Sequence, residues 1–276
     1  MNDEHISLAI KIIKSVGFFY VLWITLLFFM QSTMIYPTYV IPNLSDRSAP
    51  SDVEAKFLET QDGVRVEYWY IKSPTLERAP TIVVFHGNAS TIDFTYPWIG
   101  PLIEMGFNVL LPEFRGYGRS TGSPSQTGIN FDMKKILEKV AQKPEVDLNR
   151  LVYFGESLGG GIAFDLVEYA KPMAIVTRST FLSVNAMASK YLAPPFLIKN
   201  PYRSDKVIAN YDGPVFISHG RLDTIIPFNH SLALKELAKS PTFYPVEAGH
   251  NDFPLDGAFW RAVHQFFIEF KVLPKI

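Results

Sequence analysis

The sequence contains no cysteine. That excludes disulfides, thiolate metal sites, iron–sulfur clusters and a thiol nucleophile, so any group-transfer chemistry here runs on oxygen or nitrogen. It also lacks an excess of either charge: 26 Lys and Arg stand against 27 Asp and Glu, for a net charge of −1. With no basic field to gather phosphates, nucleic acid is not an expected partner. Internal repeats and low-complexity tracts are missing too. What the chain does have is apolar material, 47% of 276 residues with 14% aromatic, which is ample for a core and too much for disorder. That length suits two small domains or one α/β domain with an appendage.

The apolar residues are concentrated near the start. From Ser15 to Ser45 no side chain is charged, and Val16 to Ile35 is a mostly apolar run of twenty residues. At about 1.5 Å per residue, a helix of that length crosses a hydrocarbon core of about 30 Å. Pro37 stops the run. A cleaved signal peptide is the rival reading, but no small-x-small pattern follows Met30 cleanly and the run is long for a signal core. Residues 1–36 are therefore read as an N-terminal region with a single transmembrane helix. Lys11 and Lys14 precede the run, and no Lys or Arg follows it until Arg47. This asymmetry places the N-terminus in the cytoplasm and the rest of the chain outside or in a lumen. Residues 37–52, rich in Pro, Ser and Asn, are expected to form a linker rather than a packed element.

Across 53–276, short apolar, β-branched runs alternate with helical patterns. Val64 to Tyr70, Thr81 to Phe85, Asn108 to Leu111, Leu151 to Gly155, Ala174 to Thr177, Val215 to His219 and Thr242 to Val246 read as strands. Ile129 to Ala141, Leu158 to Ala170, Ser231 to Ala238 and Phe253 to Phe270 read as helices. This order predicts an α/β fold, with a mostly parallel sheet covered by helices on both faces. Loops at the carboxyl ends of its strands converge on one rim, where chemistry is to be sought. The stretch 181–212 is longer than a crossover helix needs. With Met187, Tyr191, Leu192, Phe196, Leu197 and Ile198 it is a candidate short cap over a pocket, the plainer alternative being a crossover helix and an ordinary packed loop.

Gly155-Glu156-Ser157-Leu158-Gly159 fits G-x-S-x-G directly after the apolar strand Leu151-Val152-Tyr153-Phe154 and directly before a helical segment. That is the context of a nucleophile elbow, a tight turn that lifts a serine hydroxyl off the sheet at the positive end of a helix. A serine hydroxyl needs a base within reach and an acid to orient that base. Of six histidines, His250 in Ala248-Gly249-His250-Asn251-Asp252 is the best placed base, after the last strand and before the last helix. His5 precedes the apolar run, His230 opens a helix and His264 lies inside the final one. His86 and His219, each in a His-Gly pair at a strand end, suit the bracing of a loop. Asp223, one strand before His250, is the candidate acid; Asp252 and Asp256 share the histidine loop or its helix and suit capping instead. The oxyanion of acyl transfer needs two backbone N–H groups. Leu158 offers one, and Asn88, in the loop after Phe85, offers the second. This chemistry requires no metal or organic cofactor.

From Val53 onward the chain resembles the α/β-hydrolase superfamily, and more narrowly its membrane-anchored α/β-hydrolase domain-containing serine hydrolases. The resemblance lies in His86-Gly87-Asn88-Ala89, Arg115-Gly116-Tyr117-Gly118-Arg119-Ser120, Gly155-Glu156-Ser157-Leu158-Gly159-Gly160, His219-Gly220-Arg221-Leu222-Asp223 and Gly249-His250-Asn251-Asp252. It implies the α/β-hydrolase fold and hydrolysis of an ester or thioester, often of a small-molecule or lipid-like acyl substrate near a membrane. Two departures bear on substrate preference. Pro112-Glu113-Phe114 stands where relatives often carry an aspartate, and Arg178 replaces a more acidic pattern; it is expected to point outward into solvent, the alternative being a cation for an anionic head group. A serine peptidase of the same fold and a catalytically inactive membrane-bound binding protein are the competing functions. Peptidases usually add a gating domain or paired glutamates, and three intact triad residues argue against an inactive protein.

Overall fold

The apolar runs pair into one sheet whose middle strands are buried on both faces. The computed structural model describes residues 3–42, 44 and 46–274. Its strands are β1 (Glu54–Glu59), β2 (Arg65–Ile71), β3 (Ala79–Phe85), β4 (Asn108–Pro112), β5 (Val146–Glu156), β6 (Ala174–Arg178), β7 (Val215–Gly220) and β8 (Pro241–Val246). Its helices are α1 (Asp3–Ile35), α2 (Ile92–Thr95), α3 (Gly100–Glu104), α4 (Gln126–Val140), α5 (Leu158–Asp165), α6 (Val184–Ser189), α7 (Ser204–Asn210), α8 (Asn229–Leu237) and α9 (Gly257–Glu269). The strand order is β1-β2-β4-β3-β5-β6-β7-β8. Pairing is parallel from β4 to β8 and antiparallel where β2 meets β1 and β4.

Side chains along a strand alternate between faces, and β3 shows the result. Val83 and Phe85 join a core with Ile129 of α4, Ile162 of α5, Ile208 of α7 and Leu234 of α8. Ile82 and Val84 join a second core with Ile92 of α2, Leu102 of α3 and Phe259 of α9. Burial on both faces explains the near-continuous apolar strands. Strand β1 lies outside the sequence reading. Its Glu-Ala-Lys-Phe-Leu-Glu buries only Leu58, so it shows no clear alternation; pairing with β2 at the sheet edge makes it a strand.

Helix α1 is one element of 33 residues. Within it, His5–Ile35 is long and apolar enough to cross a membrane, its most apolar 18-residue window having a mean hydropathy of 2.0, and so is a candidate span. It ends just before Pro37, whose fixed φ and missing N–H prevent continuation. Tyr36 then turns into the core, its hydroxyl 2.8 Å from that of Tyr202.

The stretch 37–52, expected to be an unpacked linker, lies against the body instead. Leu44 is buried, its carbonyl accepts from Arg119 Nη1 at 3.3 Å, and Asp52 accepts from the Tyr96 hydroxyl at 2.7 Å. Single apolar and hydrogen-bonded anchors hold this segment, and such anchors leave no periodic trace in a polar composition. Asn43 and Ser45 within it, and residues 1, 2, 275 and 276 at the ends of the expected domain ranges, lie outside the described residues.

Candidate active site

Strand β5 delivers Ser157 at its carboxyl end. There the chain turns into α5 with φ 51° and ψ −113° at the serine, a left-handed conformation that side-chain-bearing residues rarely adopt. The turn is held by its own backbone. Ser157 N–H donates to the Arg178 carbonyl at 2.9 Å, and the Ser157 carbonyl accepts from the Thr180 hydroxyl at 2.8 Å. A Cβ on Gly155 would sit 2.5 Å from the Gly159 carbonyl oxygen, and one on Gly159 would overlap the Phe85 carbonyl. The helix therefore meets the sheet more closely than any side chain at these two positions allows.

Asp223 lies in the loop after β7. Its Oδ1 accepts the N–H groups of Ile225 and Ile226 at 2.9 and 2.8 Å, and its Oδ2 lies 2.6 Å from His250 Nδ1 and 3.2 Å from His219 Nε2. Burial pushes this carboxyl up, but hydrogen bonds from His219, His250 and Ile226 outweigh it and hold the group well below its ordinary 3.8. An ionised Asp223 can only accept, so His250 Nδ1 carries the proton. His250 Nε2, 3.2 Å from Ser157 Oγ, then keeps its lone pair for the hydroxyl. Loops after β5, β7 and β8 thus bring Ser157, Asp223 and His250 into one hydrogen-bonded chain.

The neighbouring acids and histidines have other partners. Asp256 caps α9 by accepting from Ala258 and Phe259 N–H, both at 2.9 Å, and Asp252 is exposed. His86 Nδ1 lies 2.7 Å from the Gly87 carbonyl, and its Nε2 lies 2.7 Å from Glu113 Oε1. Glu113 is fully buried and also accepts from Ile92 and Phe114 N–H. The residue that departs from the family pattern thus braces the loop carrying Asn88. His219 Nε2 donates to the Ile226 carbonyl at 2.8 Å and steadies the Asp223 loop. His230 Nδ1 accepts from Leu182 N–H at 3.1 Å.

Asn88 and Leu158 line the same cavity as Ser157. The Asn88 carbonyl accepts from the Tyr117 hydroxyl at 3.0 Å, while Leu158 N–H stands at the first position of α5. Among the described residues, neither backbone N–H donates to a protein acceptor. Two orphan donors beside a serine can receive a negative oxygen.

Arg178 does not point into solvent as expected. It is buried, pairs with Glu156, and lies 5.6 and 5.7 Å from the ring centroids of Trp98 and Phe253. Strand alternation puts it on the same face as Ala174 and Val176, where those rings pack. A linear reading places it at the rim but cannot assign its face.

A cavity of about 310 Å³ adjoins Ser157, at the small end of pockets that hold organic ligands. Met187, Tyr191, Leu197 and Ile198 line it, as do Ile225 and Ile226 from the Asp223 loop. Leu192 and Phe196 project outward instead, 71% and 84% exposed. Helix α1 supplies a further wall, which includes Leu27, Phe28 and Gln31. In the sequence the polar Gln31, at the head of Gln31-Ser32-Thr33 in a mostly apolar run, is the signal that this helix touches protein. Among the described residues, no group of three or more His, Asp or Glu is placed to hold a metal ion.

Comparison with known proteins bears on the fold. A family model described as alpha/beta hydrolase fold matches residues 80–209. The Arabidopsis thaliana alpha/beta hydrolase domain-containing protein WAV2 is 31% identical over 278 residues, covering 88% of this chain and 89% of that protein. Escherichia coli YfhR is 32% identical over 200 residues, 70% of each chain. Among solved structures, the Pyrococcus furiosus esterase Pf2001 superposes with a TM-score of 0.66 at 21% identity, covering 84% of this chain and 97% of that one. At that identity the likeness is one of fold.

Proposed function

The chain belongs to the α/β-hydrolase family, and from that premise we propose that it is a serine hydrolase of carboxylic esters or thioesters with lipid-like acyl groups. The observation that carries this reading is the hydrogen-bonded chain Ser157, His250, Asp223 beside an apolar cavity. His250 Nε2 takes the hydroxyl proton as Ser157 Oγ bonds to the acyl carbon, and the carbonyl electrons move onto oxygen. The N–H groups of Leu158 and Asn88 receive that charge, while Asp223 stabilises the imidazolium. Collapse breaks the bond to the alcohol or thiol, which leaves with the proton from His250, and an acyl-enzyme remains. Water then gives a proton to His250 as it attacks the acyl carbon. The acid departs, and Ser157 regains its proton.

Among the described residues, those around the cavity include Lys190 and no carboxylate, which suits an acyl chain better than the amino-terminus of a peptide. In the same proposal α1 is a single-pass anchor, with Lys11 and Lys14 on the cytoplasmic side and the catalytic body outside or in a lumen. The test is Ser157→Ala in the full chain, assayed on p-nitrophenyl acyl esters and by fluorophosphonate labelling. Both signals are expected to vanish; undiminished turnover removes the mechanism.

A further inference from the structure

Helix α1 presents one face to the cavity. Ile24, Leu27, Phe28, Gln31, Met34 and Ile35 all line it, and they recur at the three- and four-residue spacing of a single helical stripe. Leu26, Phe29 and Met30, off that stripe, are exposed. The stripe is clamped along its length. Gln31 is 8% exposed; its Nε2 donates to the Leu197 carbonyl at 3.1 Å and its Oε1 accepts Lys199 N–H at 2.7 Å. Closer to the N-terminus, Trp23 Nε1 donates to the Tyr191 carbonyl and the Tyr20 hydroxyl to the Leu192 carbonyl, each at 2.9 Å. A helix that served only as a tether would need none of these bonds. A buried amide bonded to the backbone of 197–199 fixes the width of the space between helix and cap.

We propose that α1 is part of the acyl-binding site: its stripe from Ile24 to Ile35 is the wall that sets which acyl chain the enzyme accepts. The proposal rests on the serine-hydrolase reading of Ser157. Met34 and Tyr191 line the cavity yet remain 45% and 37% exposed, so it opens at the seam between α1 and the 181–212 stretch. From Tyr20 to Ile35 the helix rises about 22 Å. A bilayer that meets the exposed outer face of α1, with Leu26, Phe29 and Met30, therefore borders this seam, and the exposed Leu192 and Phe196 stand on its cap side. The substrate class that follows is an ester or thioester whose acyl chain already lies in the bilayer and reaches Ser157 sideways.

The experiment uses the full chain in phosphatidylcholine vesicles, with p-nitrophenyl butyrate, octanoate and palmitate as substrates. Leu27→Trp fills the wall, Ile24→Ala opens it, and Phe29→Trp alters the outer face. Leu27→Trp is expected to lower kcat/KM for palmitate relative to butyrate by about tenfold. Ile24→Ala shifts the preference toward the longer chain, and Phe29→Trp keeps the wild-type profile. Labelling of Ser157 by a small fluorophosphonate persists throughout and reports an intact site. If Leu27→Trp loses labelling, Ile24→Ala decides alone. An unchanged chain-length profile in the labelled wall variants overturns the proposal. Absence of labelling and turnover in the wild type overturns the serine-hydrolase reading, and this proposal with it.

Discussion

The Asn88 side-chain amide donates to the carbonyl of Ile35 at 3.2 Å, tying a loop that holds a candidate oxyanion donor to the last residue of α1. Asn88→Ala keeps the backbone N–H and removes only the tie. With one hydrogen bond worth about 1 kcal/mol, kcat on a short-chain ester should fall by about fivefold. Steady-state kinetics in vesicles checks this, and wild-type kcat would show that the loop keeps its place without the helix.

Asp223→Asn tests the acid. Loss of the carboxylate leaves the imidazolium without its counter-charge and allows the wrong tautomer, so kcat should drop by about 10⁴-fold. Stability should respond as well. Because the folded carboxyl is held below its ordinary 3.8, it contributes stability above that value and loses it as pH falls through the folded value. The variant's melting temperature should therefore fall less steeply in acid than that of the wild type.

Arg178→Met leaves Glu156 without its partner beside the nucleophile. A cost of about 2 kcal/mol in urea unfolding is expected, and Glu156→Gln in the same chain should recover part of it. Additive losses in the double variant would show that the two side chains do not act as a pair.

His230 supplies a pH dependence. Burial, then the neighbouring His219 and Lys190, holds its imidazole below the ordinary 6.5 against a smaller upward pull from Asp223, and its bare Nδ1 accepts Leu182 N–H. The unfolded chain then takes up a proton that the folded one refuses, so stability falls as pH drops below 6.5. His230→Gln should flatten the slope of melting temperature between about pH 7 and 5. Equal slopes in both proteins would assign the effect to another group.

The elbow is legible in the sequence because it is local: an apolar strand, five residues and a helix lie in order. His250 and Asp223 are legible only as candidates, selected by their places after strands, because the bond from His250 to Ser157 spans 93 positions and the one from Asp223 to His250 spans 27. Strand β1 escapes because an edge strand buries too little to show alternation. Glu113 stands out only as a departure from the family pattern, since a buried acid is recognised by its partners, and His86 and Ile92 lie 27 and 21 positions away in the single stretch after β3.

By itself the sequence determines the α/β layering, the apolar N-terminal helix and the oxygen-based chemistry, because periodicity, run length and residue type belong to neighbours along the chain. Only the tertiary structure decides that Arg178 turns inward and that Gln31 meets Leu197, 166 positions away, making the apolar helix a wall of the cavity. Such contacts arise from how separate elements pack, and hydrophobic burial rewards many partners equally. Geometry, not composition, selects among them.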